Sequence, residues 1–83
     1  MEKNIKLGLY RILRKLGVTR DEIQPDTQFK NDLFFDDTDW NFFLFFVENK
    51  FNISISDEEQ MQFRTIGNTI DILDQHLQQK MQN

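Results

Sequence analysis

Asp32-Leu33-Phe34-Phe35-Asp36-Asp37-Thr38-Asp39-Trp40-Asn41-Phe42-Phe43-Leu44-Phe45-Phe46-Val47-Glu48-Asn49-Lys50-Phe51 decides how this chain is read. An acidic turn runs straight into an aromatic run. Asp36 or Asp37 is suited to cap a helix by accepting backbone N–H bonds, and the acidic cluster matches the positive end of a helix dipole. The pattern predicts a helix over residues 37–51. At about 100° per residue, Trp40, Phe43, Val47 and Phe51 share one face, which is the core face. Thr38, Phe42, Phe45 and Asn49 share the opposite face. A core does not explain two large aromatics on an outward stripe, and adjacent exposed aromatics mark an interface.

Upstream, Ile5, Leu9, Ile12, Leu13 and Leu16 form one apolar stripe, with Lys6, Arg11, Arg14 and Lys15 mostly off it. That periodicity predicts a helix over 3–16, with Gly17 as its stop. Residues 18–36 read as a long connection, because Pro25 and its polar neighbours oppose a continuous helix. Val18, Ile23, Phe29 and Leu33 are its apolar anchors. Downstream, Asn52 to Ser56 alternate polar and apolar residues, but a lone strand has no sheet to join, so an extended connector is expected. Ser56-Asp57-Glu58-Glu59 is a capping box that opens a short third helix. Met61 and Phe63 sit in that helix or just after it. A last helix begins at Thr65 or Gly67 and carries Ile66, Ile70, Leu73 and Leu77 on its stripe. Residues 78–83 read as a polar, frayed tail. The expected fold is an all-α four-helix bundle in one domain spanning 1–83, with one long crossover.

Composition excludes several function classes. The chain has 83 residues and a net charge of −4, and only its first twenty residues are locally basic, which argues against nucleic-acid binding. It has no cysteine, so thiolate catalysis and thiolate zinc sites are absent. Its longest apolar run, Phe42 to Val47, is far short of the roughly 18 residues of a membrane span. With no secretory signal pattern at the start, the expected location is the cytoplasm. Asp37, Asp39, Asn41 and Glu48 have the spacing of a calcium loop, but Phe42 stands where that loop needs glycine. No metal site is expected. His76 is the single histidine and reads as an exposed residue near a helix C-terminus. No nucleophile–base pair or phosphate-cradling glycine loop appears, so no catalysis is expected.

The chain resembles the acyl carrier protein family along almost its whole length. Leu16-Gly17-Val18, Phe29, Asp32-Leu33, Asp36, the set Phe43, Val47 and Phe51, Ile53 to Glu59, Thr65-Ile66-Gly67 and Ile70-Asp71 fit the family pattern in order, without gaps from Leu16 to Leu73. The resemblance implies a helical bundle whose second helix begins with Asp-Ser-Leu, the serine carrying 4'-phosphopantetheine. Here the corresponding residues are Asp36-Asp37-Thr38. Asp37 stands at the attachment position, and a carboxylate does not form that stable phosphodiester. Shifting the register to make Thr38 the acceptor would put Leu44, Glu48 and Asn52 at core positions and bury two polar residues, at about 1–3 kcal/mol each if unpaired. The expectation is therefore an interaction module without cofactor that docks through helix II. Asp36, Asp37, Thr38, Asp39, Phe42 and Phe45 are its contact residues. Its expected partners are enzymes that recognise acyl carrier proteins, or a second copy of itself. The alternative is a genuine acyl or peptidyl carrier modified at Thr38. The family also leaves room for an acyl chain; Phe46, on the flank of helix II, can fill that space with Phe43 and Phe63, or the three simply make a tighter core. Asp37 can equally be read as mimicking the charge of the missing phosphodiester.

Overall fold

A computed structural model describes residues 2–82, with side chains described for 5–79. These residues form four helices: α1 (Glu2–Lys15), α2 (Asp37–Phe51), α3 (Asp57–Met61) and α4 (Ile66–Gln82). The architecture is all-α, as the periodicities predict. α1 packs against both α2 and α4.

Each helix boundary has a local cause. At the end of α1 the Leu16 N–H reaches the Ile12 carbonyl at 3.1 Å, and Gly17 then adopts φ +94°, a left-handed turn that glycine enters without steric cost. Asp36 is the N-cap of α2. Its carboxylate accepts from the Asp39 N–H at 2.8 Å, and Asp39 accepts in return from the Asp36 N–H at 3.2 Å. Asn52 closes α2 in the left-handed region, at φ +55°. Ser56 and Glu59 form the predicted capping box of α3. α4 starts at Ile66, where Thr65 Oγ1 accepts from the Asn68 N–H at 3.0 Å. It continues through Gln82, across most of the stretch whose polarity predicts a frayed tail. Gln, Leu, Lys and Met are good helix formers, and Gln78 hydrogen-bonds back to Asp74 at 3.0 Å. Asn83 lies outside the described residues.

The core is the sum of the apolar stripes. Ile5, Leu9, Ile12 and Leu13 from α1 meet Phe43 and Val47 from α2 and Ile66 and Leu73 from α4, all buried. Phe29, Trp40 and Phe43 form an aromatic knot. Their ring centroids lie 5.0 Å apart for Phe29–Phe43, 5.2 Å for Phe29–Trp40 and 5.4 Å for Trp40–Phe43. Burying one such ring contributes about 1.5–3 kcal/mol, so this knot is a large share of what holds α2 in place.

The long connection is better ordered than a loop read from composition. It holds a short 3-10 turn over Arg20–Glu22. Buried Thr27 donates to the Glu22 carbonyl at 2.6 Å and accepts from the Gln24 N–H at 3.1 Å. Three backbone bonds then stitch the loop to the start of α4: Phe29 N–H to Arg64 O (3.2 Å), Ile66 N–H to Thr27 O (3.0 Å) and Gly67 N–H to Pro25 O (2.8 Å). Gly67 is needed there, since a Cβ would stand 2.8 Å from the Pro25 carbonyl oxygen. Gln28 and Thr65 form an isolated β-bridge within this stitch. The residues 52–56 make no strand, as expected of a connector. Glu48 anchors them by accepting from the Ile55 N–H at 2.7 Å.

Candidate functional site

The acidic turn and the start of α2 divide the expected contact residues between two surfaces. Asp36 and Asp37 line a groove of about 660 Å³ between the long loop, the start of α2 and the segment around α3. Phe29, Phe35, Trp40 and Phe63 supply its aromatic lining, and Lys30 and Arg64 add two cations. Thr38, one residue after Asp37, lies in a different place. With Asn41, Phe42 and Phe45 it lines a shallow hollow of about 360 Å³ on the outward face of α2. Asp39 faces neither surface as a free acid, because its carboxylate completes the cap. The six residues therefore do not form one patch: Asp36 and Asp37 belong to the groove, and Thr38, Phe42 and Phe45 to the stripe.

The outward stripe is as the helical wheel predicts. Phe42 is 52% exposed and Phe45 58%, while Phe43 and Val47 are fully buried. Phe46 sits on the flank of the helix: it is half-buried and packs against the core that holds Phe43 and Phe63, and it also widens the stripe. Its ring stacks on Phe42 at 6.2 Å and meets Phe45 edge-on at 5.8 Å, with Lys15 Nζ 4.9 Å from its centroid. The cause is geometric: residue 46 falls between the core and outward faces, at the seam with α1, where a cation–π contact covers it. Phe43 and Phe63 are buried as expected.

His76 corrects one expectation. It is half-buried, and its Nδ1 lies 2.7 Å from Glu59 Oε2, which links α4 to α3. α4 continues well beyond it, so it is not a terminal residue. Burial works to raise the Glu59 pKa, but the hydrogen bonds from His76 and the Ser56 backbone, with the charge of His76, outweigh it and hold Glu59 below its ordinary value. A parallel tie joins α3 to α2, since the Trp40 indole N–H donates to Gln60 Oε1 at 3.0 Å.

Sequence reasoning missed two exposed apolar residues beside the turn. Phe34 is 78% exposed and takes φ +56°, a left-handed conformation uncommon for an aromatic. Met61, equally exposed, lines the groove. Periodicity assigns faces only within helices, so it has no signal for Phe34, which lies in the loop. The helical reading of 37–51 excludes a calcium loop there, and no cluster of three or more potential metal ligands occurs among the described residues. No described helix is long and apolar enough to cross a membrane.

No family profile matches the chain. Individual relatives do. The chain is 34% identical over 73 residues to an acyl carrier protein of Chlorobium phaeobacteroides, covering 87% of this chain and 94% of the relative. An acyl carrier protein of Chlorobium phaeovibrioides matches to the same extent. One from Porphyromonas gingivalis is 32% identical over 66 residues, covering 80% of this chain and 85% of the relative. With a capped second helix, the matching order of elements and relatives aligned over most of both chains, this chain belongs to the acyl carrier protein family.

Proposed function

We propose that this chain is a carrier-type, non-enzymatic protein that docks partners through α2 without being charged by 4'-phosphopantetheine. One observation carries this reading. Asp37, at the family's attachment position, is an exposed first residue of α2 with a carboxylate and no hydroxyl. Asp37 itself does not fit the group, since phosphopantetheine attaches through a hydroxyl oxygen. The register that makes Asp37 the attachment position is supported by burial: Phe43 and Val47 are fully buried, and Glu48 is half-exposed and engaged with the connector. The exposed Phe42, Phe45 and half-buried Phe46 supply what a docking surface needs, apolar area on a rigid helix. The cytoplasm is the proposed compartment.

Thr38 keeps a second reading in play because its hydroxyl is exposed at the helix start. Intact mass after incubation with coenzyme A and a broad-specificity phosphopantetheinyl transferase separates the two. The expected result is no mass gain on wild type and a gain on Asp37→Ser. A gain on wild type that disappears in Thr38→Ala would establish a modified carrier and overturn the proposal.

A further inference from the structure

We infer that the groove beside Asp37 is a noncovalent site for a short apolar zwitterion, a dipeptide-like molecule with a free amine and a free carboxylate. The inference rests on Asp37 being unmodified, as proposed above, and adds a ligand at that turn. Charge, counted over every charged residue on the lining, points to it first. Lys30 and Arg64 carry one sign, and Asp36 and Asp37 carry the other. The sum is zero, so the groove favours neither a plain anion nor a plain cation. A molecule with one charge of each sign matches it. These charges are also not spent on one another. Among the described residues, no ion pair joins any of the four.

The two signs come from different walls. Lys30 belongs to the long loop and Arg64 follows α3, while both acids stand at the start of α2. Asp36 gives Oδ1 to the cap, and Asp37 gives neither of its oxygens. Asp37 is therefore the anchor for the amine, and Lys30 with Arg64 for the carboxylate. The lining between them is apolar and open. Met61 is 78% exposed and Trp40 is half-buried. The Trp40 indole N–H is already taken by Gln60 Oε1, so its ring offers a ligand only apolar area. The volume of about 660 Å³ lies within the range of small-molecule sites, about 300–1,000 Å³. Two residues in extended form span about 7 Å. That length lets the ends of a dipeptide reach different walls while its side chains cover Met61 and Trp40.

Trp40, the one tryptophan of the chain, lines the groove and reports its occupancy by fluorescence. The full chain is titrated with phenylalanyl-leucine up to about 10 mM, beyond the roughly millimolar affinity of so small a ligand. Saturable binding is expected. Acetylating the amine or amidating the carboxylate should weaken it about three- to fivefold, the worth of one exposed charge pair. Asp37→Asn should bring the free peptide down to the level of the acetylated one and leave the acetylated one unchanged. The double variant Lys30→Gln/Arg64→Gln should do the same with the amidated peptide. No saturation over that range, or equal binding of the doubly capped peptide, overturns the inference. Variants that weaken free and capped peptides alike also overturn it, since the loss is then structural. Intact mass of the titrated sample keeps the two readings apart. Unmodified protein that binds no peptide loses this inference alone, whereas protein bearing phosphopantetheine loses the uncharged reading and this inference with it.

Discussion

Asp36 and Asp37 are adjacent acids at one helix start, and the structure gives them different work. Asp36 Oδ1 accepts from the Asp39 N–H at 2.8 Å, the side-chain half of the cap. Removing it in Asp36→Ala leaves that N–H to water and ends the reciprocal box, at about 0.5–2 kcal/mol. For a domain of this size, each kcal/mol moves Tm by roughly 4–8 °C, so a shift of several degrees is expected. Asp36→Asn, which keeps a capping oxygen, should recover most of it. Asp37 makes no cap. In Asp37→Ala, the loss of its interaction with the dipole, about 0.3–1 kcal/mol, is offset by the higher helix propensity of alanine, about 0.5–0.7 kcal/mol. Its net effect should lie within about 0.5 kcal/mol of zero. Urea unfolding at neutral pH measures both. Equal destabilisation by the two variants would refute the assignment of the cap. The predicted inequality frees Asp37 from a structural duty, so any change in partner binding by Asp37→Ala reports on function.

Four further outcomes are expected. Phe34→Gly should stabilise the fold by up to about 1 kcal/mol in the same unfolding assay, because glycine relieves a positive φ that an exposed aromatic holds at a cost. Phe43→Ala should cost about 3–5 kcal/mol, enough to unfold much of the population, as followed by circular dichroism. Trp40→Phe removes the indole donor to Gln60 and should speed amide exchange in residues 57–61 before it affects α1. The Glu59 carboxyl titrates lower when folded, so its contribution is present above its ordinary pKa of 4.5 and lost as pH falls through the folded value. In His76→Gln, that acid-side loss of stability should shrink in a pH series of thermal melts.

Much of the fold was legible because its helices carry their own start and stop chemistry. α2 is found where the acidic turn and the 3.6-residue period place it, and α3 begins at the Ser56 box. The outward exposure of Phe42 and Phe45 followed from angle alone. The angle puts Phe46 on the flank, but a helical wheel does not show which neighbour stands there; Lys15 of α1 decides its environment. The groove was invisible for a similar reason. Its lining comes from the long loop, α2 and the residues around α3, brought together by bonds between residues 25–29 and 64–67 that no local pattern announces. His76 read as a surface residue because its partner, Glu59, is on another helix.

The stitch between the long loop and the start of α4 has a mechanical consequence for the groove. One wall is fixed by main-chain bonds, which no single side-chain replacement removes. The other wall, around α3, is held differently. Among the described residues, the α3 main chain bonds only within its own turn, and its ties outward are the side chains of Gln60 and Glu59. Any widening of the groove therefore falls to α3, like a door whose frame is welded and whose latches are two side chains. One latch ends on an indole N–H and the other on the Glu59 carboxylate, so acid that protonates Glu59 acts on the second and leaves the first unchanged.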